Sequence, residues 1–380
     1  MNFSRAFAHK CAALALAAFV AGCGDRTGVK EYELARTAYS VRDLAKAEKL
    51  LVRSLGYNAG NVDALVTLAR VRLDLGEIPL AREALDKAAA LAGGDVDVRL
   101  LGAQLDYHAK NYDKSAAAFA SIADDTSFHP SLRSQAKSGL GVVEMTRNEY
   151  DRARLAFLMA IRLDRRNPAA WYHLGYLYRD GLGYAEAALE QFEIYVRLED
   201  KADRRAQEVQ RSVIPELKES IARAAAERPG ASRRDSKSAA EAIAKAEQAW
   251  KKGEYKTAKL RYQEAYAADA LSYPAVLGLA RAWAKTDASA SGRKQTFEHY
   301  RTACSLRPGA VSTYLETGRL AMELGRYATA VEIYSRAMAA DPASIGAVDG
   351  LIRSLRRVNK TKAASAYQAY RDTLPSPRKR

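Results

Sequence analysis

A three-residue string returns at a fixed interval near the start of the chain, and that interval restricts the fold more than any other feature. Leu34-Ala35-Arg36 recurs as Leu68-Ala69-Arg70, 34 residues later. Ala47 matches Ala81 and Leu51 matches Leu85 at the same shift. Far downstream, Tyr300, Ala303 and Pro308 return as Tyr334, Ala337 and Pro342, again 34 apart. A period of a few tens of residues marks an array of supersecondary units, each burying its apolar face against the next. Ala, Leu, Arg, Glu and Lys dominate, and Val/Ile runs with period-two alternation are scarce, so the unit is helical.

The clearest unit reads Tyr314, Thr317-Gly318, Gly325-Arg326-Tyr327, Ala330, Tyr334, Ala337, Pro342, and another reads Trp171, Leu174-Gly175, Tyr178, Tyr184, Ala187. These resemble the tetratricopeptide repeat, a helix–turn–helix of this period. Small residues on the first helix (Ala69, Gly175, Ala280, Gly318) and the second (Ala81, Ala153, Ala258, Ala330) let the two approach closely. Leu85, Phe157, Tyr262 and Tyr334 fill the space between units. Gly76, Gly253 and Gly325 suit the turns, and Pro308 and Pro342 stop second helices.

The resemblance implies an all-α fold, a tetratricopeptide-repeat superhelix (α-solenoid) of about nine helix–turn–helix units in two arrays. Helix pairs are expected to begin near Val29, Asn61, Val96, Ser134, Pro168, Ala239, Tyr273, Val311 and Ile345. The seventh carries an insert at Thr286–Arg293, and the last lacks the Gly-x-Tyr turn and reads as a cap. Residues 23–200 form the first array and 238–374 the second. Between them, 201–237 holds a capping helix with an apolar stripe (Val209, Val213, Ile214, Leu217, Ile221), begun or broken at Pro215, and a polar linker, Glu227–Ser238. Residues 375–380 are a basic tail.

The first residues read as an address. Arg5 and Lys10 precede an unbroken apolar run, Cys11–Val20, shorter than the roughly 20 residues that span a bilayer as a helix. Val20-Ala21-Gly22-Cys23 resembles the bacterial lipobox. The resemblance implies a lipoprotein signal peptide over 1–22, cleavage before Cys23, diacylglycerol on the Cys23 sulfur and an acyl chain on the new amino group. More than one chain makes anchoring stable. Gly24, rather than Asp, follows the cysteine, which implies the outer membrane, facing the periplasm.

The formal charge of the 380 residues is +15. Nine Lys/Arg against one acid, Asp372, lie between Leu351 and Arg380, so a basic end could meet a polyanion or a membrane surface. The three cysteines, Cys11, Cys23 and Cys304, include no CxxC pair, and Cys304 reads as a small apolar packing residue. No GxSxG, HExxH, Gly-rich phosphate loop or EF-hand pattern occurs, so neither enzyme activity, a metal nor a cofactor is expected.

Family resemblance places the ligand groove on the first helices. The residues following each Leu-small pair, with those a turn to either side, are Tyr32, Arg36, Tyr39, Val66, Arg70, Leu73, Tyr172, Tyr176 and Arg179, then Trp250, Arg281, Arg319 and Met322. Arginine recurs at one place in four units, Arg36, Arg70, Arg281 and Arg319. Guanidinium binds carboxylates in a bidentate fork, and Tyr and Trp add rigid contact area. The expected partners are other proteins, through extended or acidic peptide segments, and the membrane through the lipid. Nucleic acid is not expected. The expected role is an envelope adaptor that assists a pilus, secretion, cell-wall or polysaccharide-export assembly.

Overall fold

A computed structural model of the chain describes residues 28–200, 202–227 and 235–375. The expected signal peptide, the Cys23 lipobox, most of the 227–238 linker and the tail beyond 375 lie outside the described residues. Two compact units divide between Val143 and Glu144.

The first unit contains α1 (Val29–Ser40), α2 (Leu44–Tyr57), α3 (Val62–Asp74), α4 (Ile78–Ala92), α5 (Val96–His108), α6 (Tyr112–Asp124) and the first part of α7 (Pro130–Thr146). Helix starts are set where a polar side chain replaces a missing helical acceptor. Asn61 accepts from the Ala64 amide, and Asp95 accepts from those of Asp97 and Val98. The small residues shared at the 34-residue shift, Ala35, Ala69, Ala47 and Ala81, are completely buried, with Leu51 and Leu85 beside them. The unit stacks further through buried hydroxyls. Ser54 Oγ donates to the Gly28 carbonyl (2.7 Å) and Ser115 Oγ to that of Ala103 (2.8 Å).

The second unit continues with α8 (Tyr150–Leu163), α9 (Pro168–Tyr176), α10 (Ala185–Leu198), α11 (Arg204–Glu208) and α12 (Ile214–Ala226). It then holds the pairs α13 (Ser236–Lys251) with α14 (Tyr255–Ala268), α15 (Tyr273–Thr286) with α16 (Ala290–Leu306), α17 (Val311–Glu323) with α18 (Tyr327–Ala340), and α19 (Ile345–Arg357) with α20 (Thr361–Asp372). Short π-helical stretches, Leu177–Gly181 and Val209–Val213, interrupt it. The expected insert becomes a three-residue turn and a longer second helix, and Pro215 stands in the first turn of α12. Val209, Val213 and Leu217 of the expected stripe are buried.

One backbone feature keeps time along the chain. Between first and second helices a residue adopts the left-handed conformation, at Arg42, Gly76, Lys110, Asn148, Gly183, Gly253, Gly325 and Asn359. At seven of them, all but Gly183, the next amide reaches back five residues to a carbonyl, as from Asp43 to Ala38 and from Lys360 to Leu355. Gly76, Gly253 and Gly325 were expected there, and Gly183 was not. Arg42, Lys110 and Asn359 show that the turn forms without one, and Asn359 supplies it in the pair expected to lack it.

The aromatic-small pattern also has a direct cause. A methyl group added to Gly318 or Gly350 would lie 2.6 or 2.2 Å from the Tyr334 ring. Tyr334 is thus wedged between the first helix of its own pair and that of the next. Gly175 receives Phe192 in the same way, at 2.8 Å.

The expected boundary at 201–237 falls inside the second unit, because α20 packs back on α8. Arg154 of α8 is fully buried there. Its Nε donates to the Tyr367 hydroxyl (2.9 Å) and its Nη2 to Asp151 (3.1 Å), while Tyr367 donates to the same carboxylate (2.9 Å). Burial works against the guanidinium's charge, but Tyr367, Tyr178 and Asp151 outweigh it and hold the pKa above its ordinary value. Nearby, Arg162 donates to Thr373 Oγ1 (2.8 Å) and lies over the Tyr370 ring. Residues 150–198 and 311–374 therefore belong to one compact body.

Candidate functional site

In the first unit, α1 and α3 carry the expected groove residues. Arg36 and Arg70 are exposed, while Tyr32, Tyr39 and Leu73 are partly buried against the core. Arg36 lies over the Tyr32 ring and pairs with Glu33 at 3.3 Å. Arg70 reaches Asp97 on α5, the first helix of the following pair, at 3.1 Å. The Tyr39 hydroxyl donates to Asp74 (2.9 Å), which also receives Arg42 (2.7 Å). Burial, then that carboxylate, pushes the Tyr39 phenol up to about 12. Val66 is in the core at 6% exposure and does not face the groove. It sits on the inward side of α3, which its place in the repeat pattern does not reveal.

In the second unit, Tyr172 and Tyr176 of α9 join Phe192 and Tyr195 of α10 in an aromatic cluster, with ring centroids 4.8–5.0 Å apart for three of its pairs. Arg179 stacks on Tyr176 and pairs with its neighbour Asp180 at 2.6 Å. Burial and the Tyr172 hydrogen bond raise the Tyr176 phenol to about 12. His173 lies against Phe157, near Arg205, and burial followed by that charge lowers its pKa to about 4. Trp250 packs edge-on to Tyr255.

Arg281 grips Glu316 on the following first helix with two bonds, 2.7 and 3.3 Å, and Tyr300 donates to the same carboxylate at 2.6 Å. Burial would raise the Glu316 pKa, but these donors hold it below the usual carboxylate value. Arg319 is three-quarters exposed and 3.9 Å from Glu323, with Met322 partly buried beside it.

The four recurring arginines are each partnered by an acid of the same chain: Glu33, Asp97, Glu316 and Glu323. Two pairs bridge successive first helices, so they set spacing as well as charge. Exposed pairs of this kind contribute only about 0–1 kcal/mol, and an incoming carboxylate could exchange with them. Spacing alone did not reveal the acids, although Glu33 and Glu323 stand at i−3 and i+4 from their arginines.

Other expected elements have definite places. Cys304 is buried with Sγ 3.3 Å from Thr317 Oγ1, and burial pushes its thiol up to about 11. At the basic end, Arg371 pairs with Asp349 and Arg357 packs on Tyr327. A cleft of about 350 Å³, lined by Tyr184, Glu190, Tyr314 and Arg336 among others, escaped sequence reasoning. Among the described residues, no group of three or more His, Cys, Asp or Glu is placed to hold a metal, and no helix is long and apolar enough to cross a membrane.

Profiles described as tetratricopeptide repeat match residues 38–105, and 100–168, 138–204 and 298–345, which together exceed half of the chain. Among curated proteins none matches. Similar solved structures include pilF of Pseudomonas aeruginosa, 19% identical, covering 54% of this chain and 94% of that one with a TM-score of 0.40. A thermophilic tetratricopeptide-repeat protein of Thermus thermophilus is 18% identical, covering 46% and 93% with a TM-score of 0.41. MamA is 20% identical, covering 49% and 96% with a TM-score of 0.33.

Proposed function

Because this chain is a tetratricopeptide-repeat protein, built of units that bind other proteins, we propose that it is an adaptor held at the bacterial envelope by lipid on Cys23. In this role it docks components of an envelope, pilus, secretion or polysaccharide-export assembly. The observation that supports the adaptor role is the exposure of Arg36 and Arg70 on successive first helices of the first unit, with partly buried aromatic and apolar side chains, Tyr32, Tyr39 and Leu73, on the same helices. Such a set suits an extended segment whose carboxylates exchange into the Arg36–Glu33 and Arg70–Asp97 pairs while Tyr32 and Tyr39 supply contact area. The lipobox residues Val20-Ala21-Gly22-Cys23 support the anchor, and acylation there would hold the adaptor at the outer membrane, facing the periplasm.

The test combines Arg36→Ala with Arg70→Ala. Both side chains are exposed, so stability should move by no more than about 0.5 kcal/mol. Loss of desolvated carboxylate contacts should weaken binding by roughly 1.5–3 kcal/mol each. Captured partner should fall away while helicity persists. Capture that survives the double change removes the arginines from recognition. Separately, Cys23→Ser should release the protein from the membrane fraction, and full retention there would overturn the lipid anchor.

A further inference from the structure

We infer that the outer face of the first helix pair rests on the anionic headgroups of the bilayer to which the chain is tethered. The inference rests on the anchor proposed above, and extends it to a surface. From Cys23 to Gly28, where the described structure begins, is five residues, which reach at most about 18 Å when fully extended. A lipid on Cys23 therefore keeps the start of α1 within about 18 Å of the headgroups.

Those two helices are unusually suited to that neighbour. Ten large apolar side chains are exposed among the described residues, and five of them, Val29, Leu34, Val41, Val52 and Tyr57, lie on α1, on α2 or at the turn between them. Of the other five, Leu75, Leu80 and Leu91 lie on the second pair and Leu198 and Leu260 in the second unit, so the exposed apolar side chains are densest on the pair nearest the tether and thin out beyond it. The exposed side of α2 carries Lys46, Lys49 and Arg53, spaced three and four apart and ending in Tyr57, with Val52 alongside. No acid of α2 occupies that side, since Glu48 is turned inward to Arg72 at 3.0 Å. A basic stripe with an aromatic and apolar residues beside it is the composition of a helix that lies in a membrane interface. Basic side chains at such a surface gain from the negative potential of its lipids. A protein partner would not explain why the stripe sits beside the tether.

The test places a nitroxide on Val52→Cys, with Leu260→Cys as the control, because both positions are exposed while Cys304 is buried. The acylated protein is reconstituted in mixed phosphatidylglycerol–phosphatidylethanolamine vesicles, and access of a water-soluble relaxation agent is measured. Position 52 should be shielded several-fold more than position 260. Lys49→Glu with Arg53→Glu should remove the shielding while the acyl chains stay attached. Equal access at both sites, shielding untouched by the charge reversal, or the same shielding without vesicles would each overturn the inference. If mass measurement shows no acyl group on Cys23, the anchor fails, and the stripe is read on the unlipidated chain by sedimentation with phosphatidylglycerol vesicles. Each basic residue contributes about fivefold at such a surface, so the double reversal should lower that binding by well over tenfold. Absence of any such binding would overturn the stripe as well.

Discussion

The hydroxyl of Tyr367 lies between the guanidinium of Arg154, 213 positions earlier in the chain, and the partly exposed carboxylate of Asp151, with the tyrosine and the arginine both buried. It accepts from the arginine and donates to the acid. A buried charge is costly unless its hydrogen bonds are satisfied, and here one phenol satisfies two partners.

Tyr367→Phe should therefore destabilise the second unit by roughly 1.5–3 kcal/mol, the range for a lost hydrogen bond to a charged group. Denaturant unfolding should show the loss in the transition of that unit, with the ring's packing retained. A change below about 0.5 kcal/mol would mean that Asp151 alone suffices for Arg154.

His173 should make stability pH-dependent. Its folded pKa is held near 4, against 6.5 when free, so the folded state disfavours the proton. Stability is complete above pH 6.5, is lost as the pH falls through the interval down to about 4, and changes no further below it on this account. The loss is on the order of 1–3 kcal/mol. His173→Gln should flatten the melting temperature over that interval, and an unchanged slope would assign the dependence to another group.

Lys110→Gly should raise the stability of the first unit by about 0.5–1 kcal/mol, because Lys110 holds a left-handed backbone at φ 63° that glycine adopts without strain. The comparison is a denaturant midpoint against wild type. A lowered midpoint would show that the lysine's side chain contributes more than its backbone costs.

Gly350→Ala should destabilise by about 1–3 kcal/mol, since the new methyl would meet the Tyr334 ring at 2.2 Å. Pairing it with Tyr334→Leu should return part of the loss. An additive double variant would show that the two do not pack as described.

Periodicity made the helix pairs legible. Helices begin at Val29, Val96, Pro168, Tyr273, Val311 and Ile345 as expected, because the small and aromatic residues that fix the spacing also pack the interface. The fourth pair begins at Pro130 rather than near Ser134, where proline suits the first turn. Contacts without a repeat were not legible. Arg154 follows Ala153 just as Arg82 follows Ala81, yet Arg82 is partly exposed and pairs with Asp106 while Arg154 is buried under Tyr367. The same residue in the same register meets different neighbours, and only the fold of distant chain decides which. The arginine row was legible as residues but not as ion pairs, since Asp97 and Glu316 come from following helices.

A stack of repeats ordinarily folds as a zipper, each unit needing only its neighbour. The docking of α20 on α8 changes that kinetic problem for the second unit. Its last helix pair gains its final contacts only when chain made some two hundred residues earlier is already in place, so the closing step carries a loop entropy that no local nucleus offsets. During synthesis, α8 waits with Arg154 held by Asp151 alone until Tyr367 arrives. Once closed, the junction couples the ends of the array, and fraying that would start at a free terminal repeat must first break the bond between Tyr367 and Arg154.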